Sequence, residues 1–444
     1  MSRSGYIAAA LATGACSMSS AGAEDVLVLT TESGVRLALE HNERIMMARS
    51  ERIKADEKVR EARAQGLPQL GANVDYSRNW LLPSFVFNDT RFSIGNDNNL
   101  TGSLRLTQPL YRGGGIRARV KGARLEALYA REVERAVRQQ LTAEVESDFY
   151  EYLLAAELVR VSELAVQRSR SNLARVQALR QAGQVSEYDL VRARVQVTVV
   201  STDSLSADKE LGKAELRLKD RLGLDLRRAV RVEARFRRDS PLAGAAVDSL
   251  LRLGVARRPE ALQLAQLIAA REREIQVEKA EGRPRVDLVA DGQVQYQEDG
   301  LDLSDPDRWQ RSWSTGVRVE VPILDGSRSG ARTAQAREET KRLGYERHQL
   351  VRGVEREITE AWMDWQESLA REGARRSTVE QATTGLGIAQ SRYEAGAGTQ
   401  LEILDAQLVL VRAESDLALA QRDRALAIVE LERAVGVLGE LAGP

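Results

Sequence analysis

Three glycine and proline landmarks recur at one interval. Pro109 and Pro322, Gly183 and Gly396, and Gly223 and Gly436 each stand 213 residues apart. Their surroundings match as well. "TQPLYRGGGIRAR" (107–119) pairs with "EVPILDGSRSGAR" (320–332), and "DRLGL" (220–224) with "RAVGV" (433–437). Nearer the start, "AQGLPQLGANVDY" (64–76) pairs with "AEGRPRVDLVADG" (280–292), and Pro68 stands 216 residues from Pro284. The three extra residues fall between the paired prolines, where loops vary. The chain is therefore one unit of roughly 200 residues written twice. Whatever one copy folds into, the other must repeat.

Prolines divide each copy. None occurs between Pro109 and Pro241, or between Pro322 and Pro444, and helix formers fill both stretches. Val133, Val137, Leu141, Val145, Phe149 and Leu153 make an apolar stripe at four-residue spacing. A helix unbroken from Ile116 to about Gln181 would be about 100 Å long. Helices of that length pack side by side as coiled coils. "RQAGQVSEYDLVRAR" (180–194) and "YEAGAGTQLEILDAQ" (393–407) then each predict a tight turn and a returning helix. Gly183 and Gly396 supply the left-handed step. Ser186 with Asp189, and Thr399 with Glu402, have the spacing of a helix-start cap.

Between the paired prolines the apolar period is two. Leu70, Ala72, Val74 and Tyr76 share a face, as do Leu100, Leu104 and Leu106, with Ser103, Arg105 and Thr107 opposite. In the second copy Val286, Leu288, Ala290, Val294 and Tyr296 answer Trp313, Val317, Val319 and Val321. Each copy thus predicts one β-hairpin with an apolar and a polar face. Trp80, Phe85, Phe87, Trp309 and Trp313 gather at or beyond the loop-side strand ends, as in an aromatic membrane girdle. The connecting loops, "LPSFVFNDTRFSIGNDN" and "EDGLDLSDPDR", read as polar turns. Four strands cannot close a transmembrane barrel, and lipid does not tolerate open edges. Several chains must share one barrel: two would supply eight strands, three would supply twelve.

Arg3, the apolar "YIAAALATGAC" and the small residues "AGA" at 21–23 predict a secretory signal over 1–23, with the mature chain starting at Glu24. Cys16 is the only cysteine, so no internal disulfide is expected. Lipidation at Cys16 is the alternative use of this segment, but Thr13 stands where a lipoprotein signal favours leucine. The 65 basic and 65 acidic residues balance, and nothing in them asks for nucleic acid. His41 and His348, the only histidines, have no metal-ligand or triad spacing around them. No enzyme, metal or cofactor is expected.

The duplicated layout, the two strand-to-helix junctions and "RYEAGAGTQLEILDAQ" resemble the TolC-type outer-membrane efflux and secretion family over nearly the whole mature chain. The resemblance implies a mainly α protein with a membrane β-barrel. Each chain would bring two units of one β-hairpin plus long antiparallel coiled-coil helices. A homotrimer would share one twelve-stranded barrel, continued as an α-helical periplasmic tunnel. The expected units are 24–240, with hairpin about 69–108 and helical hairpin about 113–222, and 241–444, with hairpin about 285–321 and helical hairpin about 328–435. The implied function is the outer-membrane duct of a tripartite efflux or type I secretion system. Its partners would be a periplasmic adaptor, an inner-membrane pump and outer-membrane lipid. The alternative is a soluble periplasmic coiled-coil scaffold.

In that family the helical turns form the periplasmic tip. The resemblance assigns adaptor docking to Gly183, Gln184, Gly396 and Ala397. It assigns a gate to Tyr393 with Asp189, and a ring of carboxylates to Glu402 and Asp405. A hydroxyl-to-carboxylate bond between Tyr393 and Asp189 is expected to tie the two copies together. A family arginine two places after the tip glycine is replaced here by Gly398. Read from the residues alone, Glu402 and Asp189 are cap and first-turn charges, and carboxylates three apart are commonly solvated.

Overall fold

The structure is a computed structural model, and it describes residues 26–439 apart from 88, 243 and 301. The expected signal over 1–23, with Cys16, lies outside the described residues. The chain runs β1 (Leu27–Leu29), α1 (Thr31–His41), α2 (Glu43–Ala64), β2 (Gln69–Arg78), β3 (Ser84–Phe87), β4 (Thr90–Ser93) and β5 (Asn98–Arg112). Then come α3 (Gly115–Gln181), α4 (Glu187–Arg221), β6 (Val230–Val232), α5 (Val247–Arg257), α6 (Pro259–Glu281) and β7 (Arg285–Glu298). A 3₁₀ turn (Pro306–Arg308), β8 (Trp309–Glu320), α7 (Arg328–Glu394) and α8 (Gln400–Val435) complete it.

Both long helices, α3 and α7, have 67 residues and run about 100 Å without a break. Each is partnered by two shorter helices laid end to end. The first half of α3 packs on α2 and its second half on α4; α6 and α8 do the same for α7. The joints between the short helices repeat the duplication. At the start of α2, the Asn42 amide donates to the Arg221 carbonyl at 3.2 Å. At the start of α6, Arg258 donates to the Ala434 carbonyl at 3.5 Å. Glu144 accepts from Arg44 and Arg221 at 2.6 and 2.8 Å, and Glu357 stands 2.5 Å from Arg258. The buried residues around the joints repeat too. Leu141, Val145, Leu218 and Leu222 of the first copy stand 213 residues from Val354, Ile358, Leu431 and Val435.

At the N-terminal end of α3 and α7, the four long strands form a single antiparallel sheet in the order β2-β5-β7-β8. The two hairpins are joined through β5 and β7, whose register places Leu104 opposite Gly292 and Leu106 opposite Ala290. Facing residues share a side of the sheet. One side therefore carries the row Leu70, Leu106, Ala290 and Thr315, then Ala72, Leu104, Gly292 and Trp313. The other carries Asn73, Ser103, Gln293 and Ser312, then Asp75, Thr101, Gln295 and Gln310. Arg105 and Asp291 pair across this polar side at 2.5 Å. Among the described residues the outer edges of β2 and β8 have no strand partner, so the chain alone closes no barrel.

Two parts of the fold depart from the sequence reading. The segment between β2 and β5, read as a polar loop, holds the β3–β4 hairpin with Ser84 opposite Ser93. "SFVF" and "TRFS" are short strand formers on either side of a turn where Asp89 takes φ 59°. The helices α1, α2, α5 and α6 and the parallel β1–β6 pair were not read from the sequence at all.

Candidate functional site: the two helix turns

The far end of the long helices, opposite the sheet, carries the two turns. In the first, Gly183 has φ +74°. Its N–H donates to the Arg180 carbonyl at 3.0 Å, and that of Gln184 to Leu179 at 2.9 Å. The second turn repeats this. Gly396 has φ +70°. Its N–H donates to Tyr393 at 3.0 Å, and that of Ala397 to Arg392 at 2.9 Å. Both are left-handed helix closures that satisfy the last carbonyls. Gly183, Gln184, Gly396 and Ala397 are all exposed.

The caps differ between copies. Ser186 Oγ accepts from the Asp189 N–H at 3.1 Å, and the Asp189 carboxylate accepts from the Ser186 N–H at 3.2 Å and hydroxyl at 2.6 Å. That is a closed capping box. In the second copy Thr399 Oγ1 accepts from the Glu402 N–H at 3.3 Å, but Glu402 does not return a bond to the backbone. Its carboxylate instead accepts from the Thr399 hydroxyl at 3.4 Å and lies 3.9 Å from Arg392, which also donates to the Ala397 carbonyl at 3.2 Å. Gly398 sits against this turn: a Cβ there would fall 3.0 Å from the Tyr393 nitrogen.

Tyr393 and Asp189 come from different copies and share one electrostatic neighbourhood. Burial raises the Tyr393 pKa, the Asp189 charge raises it further, and Arg175 opposes them. The expected bond between the two is not made. The Tyr393 hydroxyl is buried with no hydrogen-bond partner among the described residues, while the Asp189 carboxylate is engaged by Ser186 three residues away. A local partner on the same turn needs no long-range closure and captures the carboxylate first. Instead, the copies are linked by Arg175 of α3 and Glu394 of α7, 2.9 Å apart, two residues the sequence reading missed. Glu402 is half-exposed. Asp405 is exposed and makes no hydrogen bond or ion pair with a described residue.

Among the described residues no group of three or more histidine, cysteine, aspartate or glutamate side chains could hold a metal ion. His41 ends α1 with Nδ1 at 3.2 Å from the Leu37 carbonyl, an ordinary helix-end contact. No described helix is long and apolar enough to cross a membrane. The tip thus carries two exposed turns, a capped Asp189, a Glu402 beside Arg392, an exposed Asp405 and a buried Tyr393 hydroxyl without a partner among the described residues.

Comparison with known proteins gives one consistent result. The family model described as "Outer membrane efflux protein" matches residues 34–224 and 250–437. The alkaline protease secretion protein AprF of Pseudomonas aeruginosa is 24% identical over 425 residues, covering 94% of this chain and 86% of AprF. The outer membrane protein TolC of Escherichia coli is 24% identical over 415 residues, covering 90% and 80%. The solved structure of the outer membrane protein VceC from Vibrio cholerae superposes with a TM-score of 0.74 at 20% identity, covering 91% of this chain and 96% of that one.

Proposed function

The chain belongs to the outer membrane efflux protein family, and from that premise we propose that it is the outer-membrane duct of a tripartite efflux or secretion machine. It is an outer membrane protein of the TolC type. The observation that carries the duct reading is the open four-stranded sheet at one end of the helices. Its apolar side exposes Leu70, Val74, Leu104, Trp313 and Val317, and its outer edges are unpaired. A membrane enforces closure of such edges, because an unpaired backbone group has no water to bond there. Three copies supply twelve strands, with β8 of one chain pairing with β2 of the next, the apolar side facing lipid and the polar side lining a pore. The helices continue the pore toward the periplasm.

The two turns then point away from the membrane and meet a periplasmic adaptor, which couples the duct to an inner-membrane pump. Tyr393, Asp189, Glu402 and Asp405 ring the narrow end. A soluble scaffold, the other reading, gives no role to the sheet's exposed apolar side. The test is extraction and size. The protein should leave outer membranes only with detergent and run as a heat-modifiable trimer, and tip cysteines at Gln184 and Ala397 should crosslink to an adaptor. Release in buffer alone, as a monomer, would overturn the duct.

A further inference from the structure

The apolar side of the four-stranded sheet carries little charge. Among the described strand residues facing that way, Arg78 of β2, Glu298 of β7 and Arg311 of β8 are the charged ones. Arg311 shares a row with Val74, Gly102 and Val294. Arg78 stands two rows further out, in the row of Asn98 and Glu298. Depth follows from the register. Counted from Val286 and Val319, the innermost facing pair on this side, Val294 lies eight residues out and Glu298 twelve. At about 3.4 Å per residue and a strand tilt of about 40°, those rows stand about 21 Å and about 31 Å along the membrane normal. The apolar band of a membrane barrel is about 25 Å tall, so the two arginines bracket its outer edge.

Other arginines nearby have carboxylate partners. Arg105 and Arg112, on the polar side, meet Asp291 and Asp287 at 2.5 and 2.8 Å, and Arg308 of the 3₁₀ turn meets Asp305 at 3.2 Å. Arg78 and Arg311 are exposed and make no ion pair or hydrogen bond with a described residue. The Arg78 guanidinium lies 4.4 Å from the centre of the Trp80 ring, a cation–π contact that leaves its N–H groups free. Trp80 and, one row inside Arg311, Trp313 are 83% and 82% exposed. Just outside Arg311 the loop folds onto the sheet, where the Tyr296 hydroxyl donates to the Gly300 carbonyl at 2.6 Å and accepts from the Asp302 N–H at 2.9 Å. Glu298 is half-buried and two strands from Arg78, about 10 Å across the sheet. The two free cations thus stand on β2 and β8, the open edges.

An arginine on a lipid face is tolerated near the interface, where its long stem lets the charge reach the headgroups. Reach alone accounts for a charge anywhere around the girdle. It does not account for two unpaired guanidinium groups on the edges that closure makes neighbours, because like charges on adjacent strands repel. An anion between them removes the repulsion, and the planar guanidinium fork matches phosphate oxygens two at a time. We propose that, at each junction of β8 with β2 of the next chain, Arg311 and Arg78 hold the phosphate group of an outer-leaflet lipid, with its acyl chains against Trp313. This site rests on the duct reading, which turns the apolar side to lipid and joins those two edges.

The test places the full-length protein in nanodiscs of zwitterionic phospholipid, doped with a bisphosphorylated glycolipid or with the same glycolipid stripped of phosphate. Native mass spectrometry counts what stays bound. Wild type should retain the phosphorylated lipid about tenfold better than the stripped one. Arg78→Gln with Arg311→Gln should erase that preference; both side chains are exposed and unpaired, so the sheet itself should survive. Arg105→Gln, on the polar side, should keep the preference whole. Excess inorganic phosphate should not displace the lipid. Equal retention of both lipids by wild type, a preference that survives the double substitution, or one lost equally in Arg105→Gln overturns the site. Displacement by inorganic phosphate makes it a site for a free anion and overturns the lipid. Any of these in a protein that still inserts and conducts leaves the duct intact. A protein that does not enter the bilayer fails the duct reading and takes this site with it.

Discussion

Arg175 on α3 and Glu394 on α7 lie 2.9 Å apart, joining the two copies one residue from the orphaned Tyr393 hydroxyl. The side chains are 36% and 58% exposed, so the pair contributes about 0–1 kcal/mol to folding. Its place matters more than its strength. It bridges the first copy to the second at the level of the proposed gate. Arg175→Ala and Glu394→Ala should each raise single-channel conductance while shifting the unfolding midpoint little. The double substitution should add nothing to either. Swapping the two charges should return conductance toward wild type; if it does not, the pair is ordinary surface charge.

Tyr393→Phe removes a buried hydroxyl that bonds to nothing among the described residues, so it should leave stability unchanged or slightly raised. Ser186→Ala should behave differently. It opens the box around Asp189 and costs about 1 kcal/mol of helix-start stability, or roughly fivefold faster hydrogen exchange at the first turn of α4. Should Tyr393→Phe instead destabilise the assembled protein by more than this, its hydroxyl is bonded to a neighbouring chain of the proposed trimer.

The two tip carboxylates should not be equal. Glu402 has Arg392 at 3.9 Å, while Asp405 is exposed and has no ion-pair partner among the described residues. A ring of carboxylates favours cations and can hold a multivalent one. Asp405→Ala should therefore reduce cation selectivity and multivalent block more than Glu402→Ala does, and the double variant should abolish block. Equal effects, read out in bilayer reversal potentials, would overturn the predicted inequality; no effect at either position would remove both from the pore.

At Gly183 and Gly396 an added Cβ would touch nothing within 4 Å, so substitution costs only the left-handed backbone, about 1–2 kcal/mol. Gly183→Val and Gly396→Val should lose export and keep the trimer, and Gly183→Asn should be milder. Gly398→Ala acts by crowding instead, against the Tyr393 nitrogen. Export assays beside native gels separate these outcomes.

Glu146 of α3 is held above the usual carboxylate range by burial; Arg237 opposes this, and Glu432 adds to it. Its proton is bound more tightly in the folded state. Its favourable contribution is thus present below the unfolded pKa of about 4.3 and lost as pH rises through the folded value. Glu146→Gln should raise the unfolding midpoint at about pH 8 and leave it unchanged at about pH 4. A variant that destabilises at about pH 8 would show that the ion pair with Arg237, 3.7 Å away, outweighs burial.

What the sequence determined by itself is local or periodic. The strand alternation, the long unbroken helices and the glycine turns are each written in a short window, because φ preference, capping and amphipathic period act over a few residues, and the 213-residue repeat is read by comparing such windows. Even the asymmetry at Gly398 was visible. The helices around the joints could have been found from Thr30, Asn42 and Pro259, which start α1, α2 and α6. Only the tertiary structure decided which edges meet. All four strands share one alternation, so nothing local says that β5 pairs with β7 and leaves β2 and β8 open. Nor could a heptad pattern say that Gln400 and Gln407 are buried while Glu187 and Arg194 at the same positions are exposed, since burial there depends on α8 lying between two helices and α4 lying at an edge. The missing Tyr393–Asp189 bond has the same origin. Residue types made it plausible, but a hydroxyl three residues away reaches the carboxylate without the entropy of bringing two copies together.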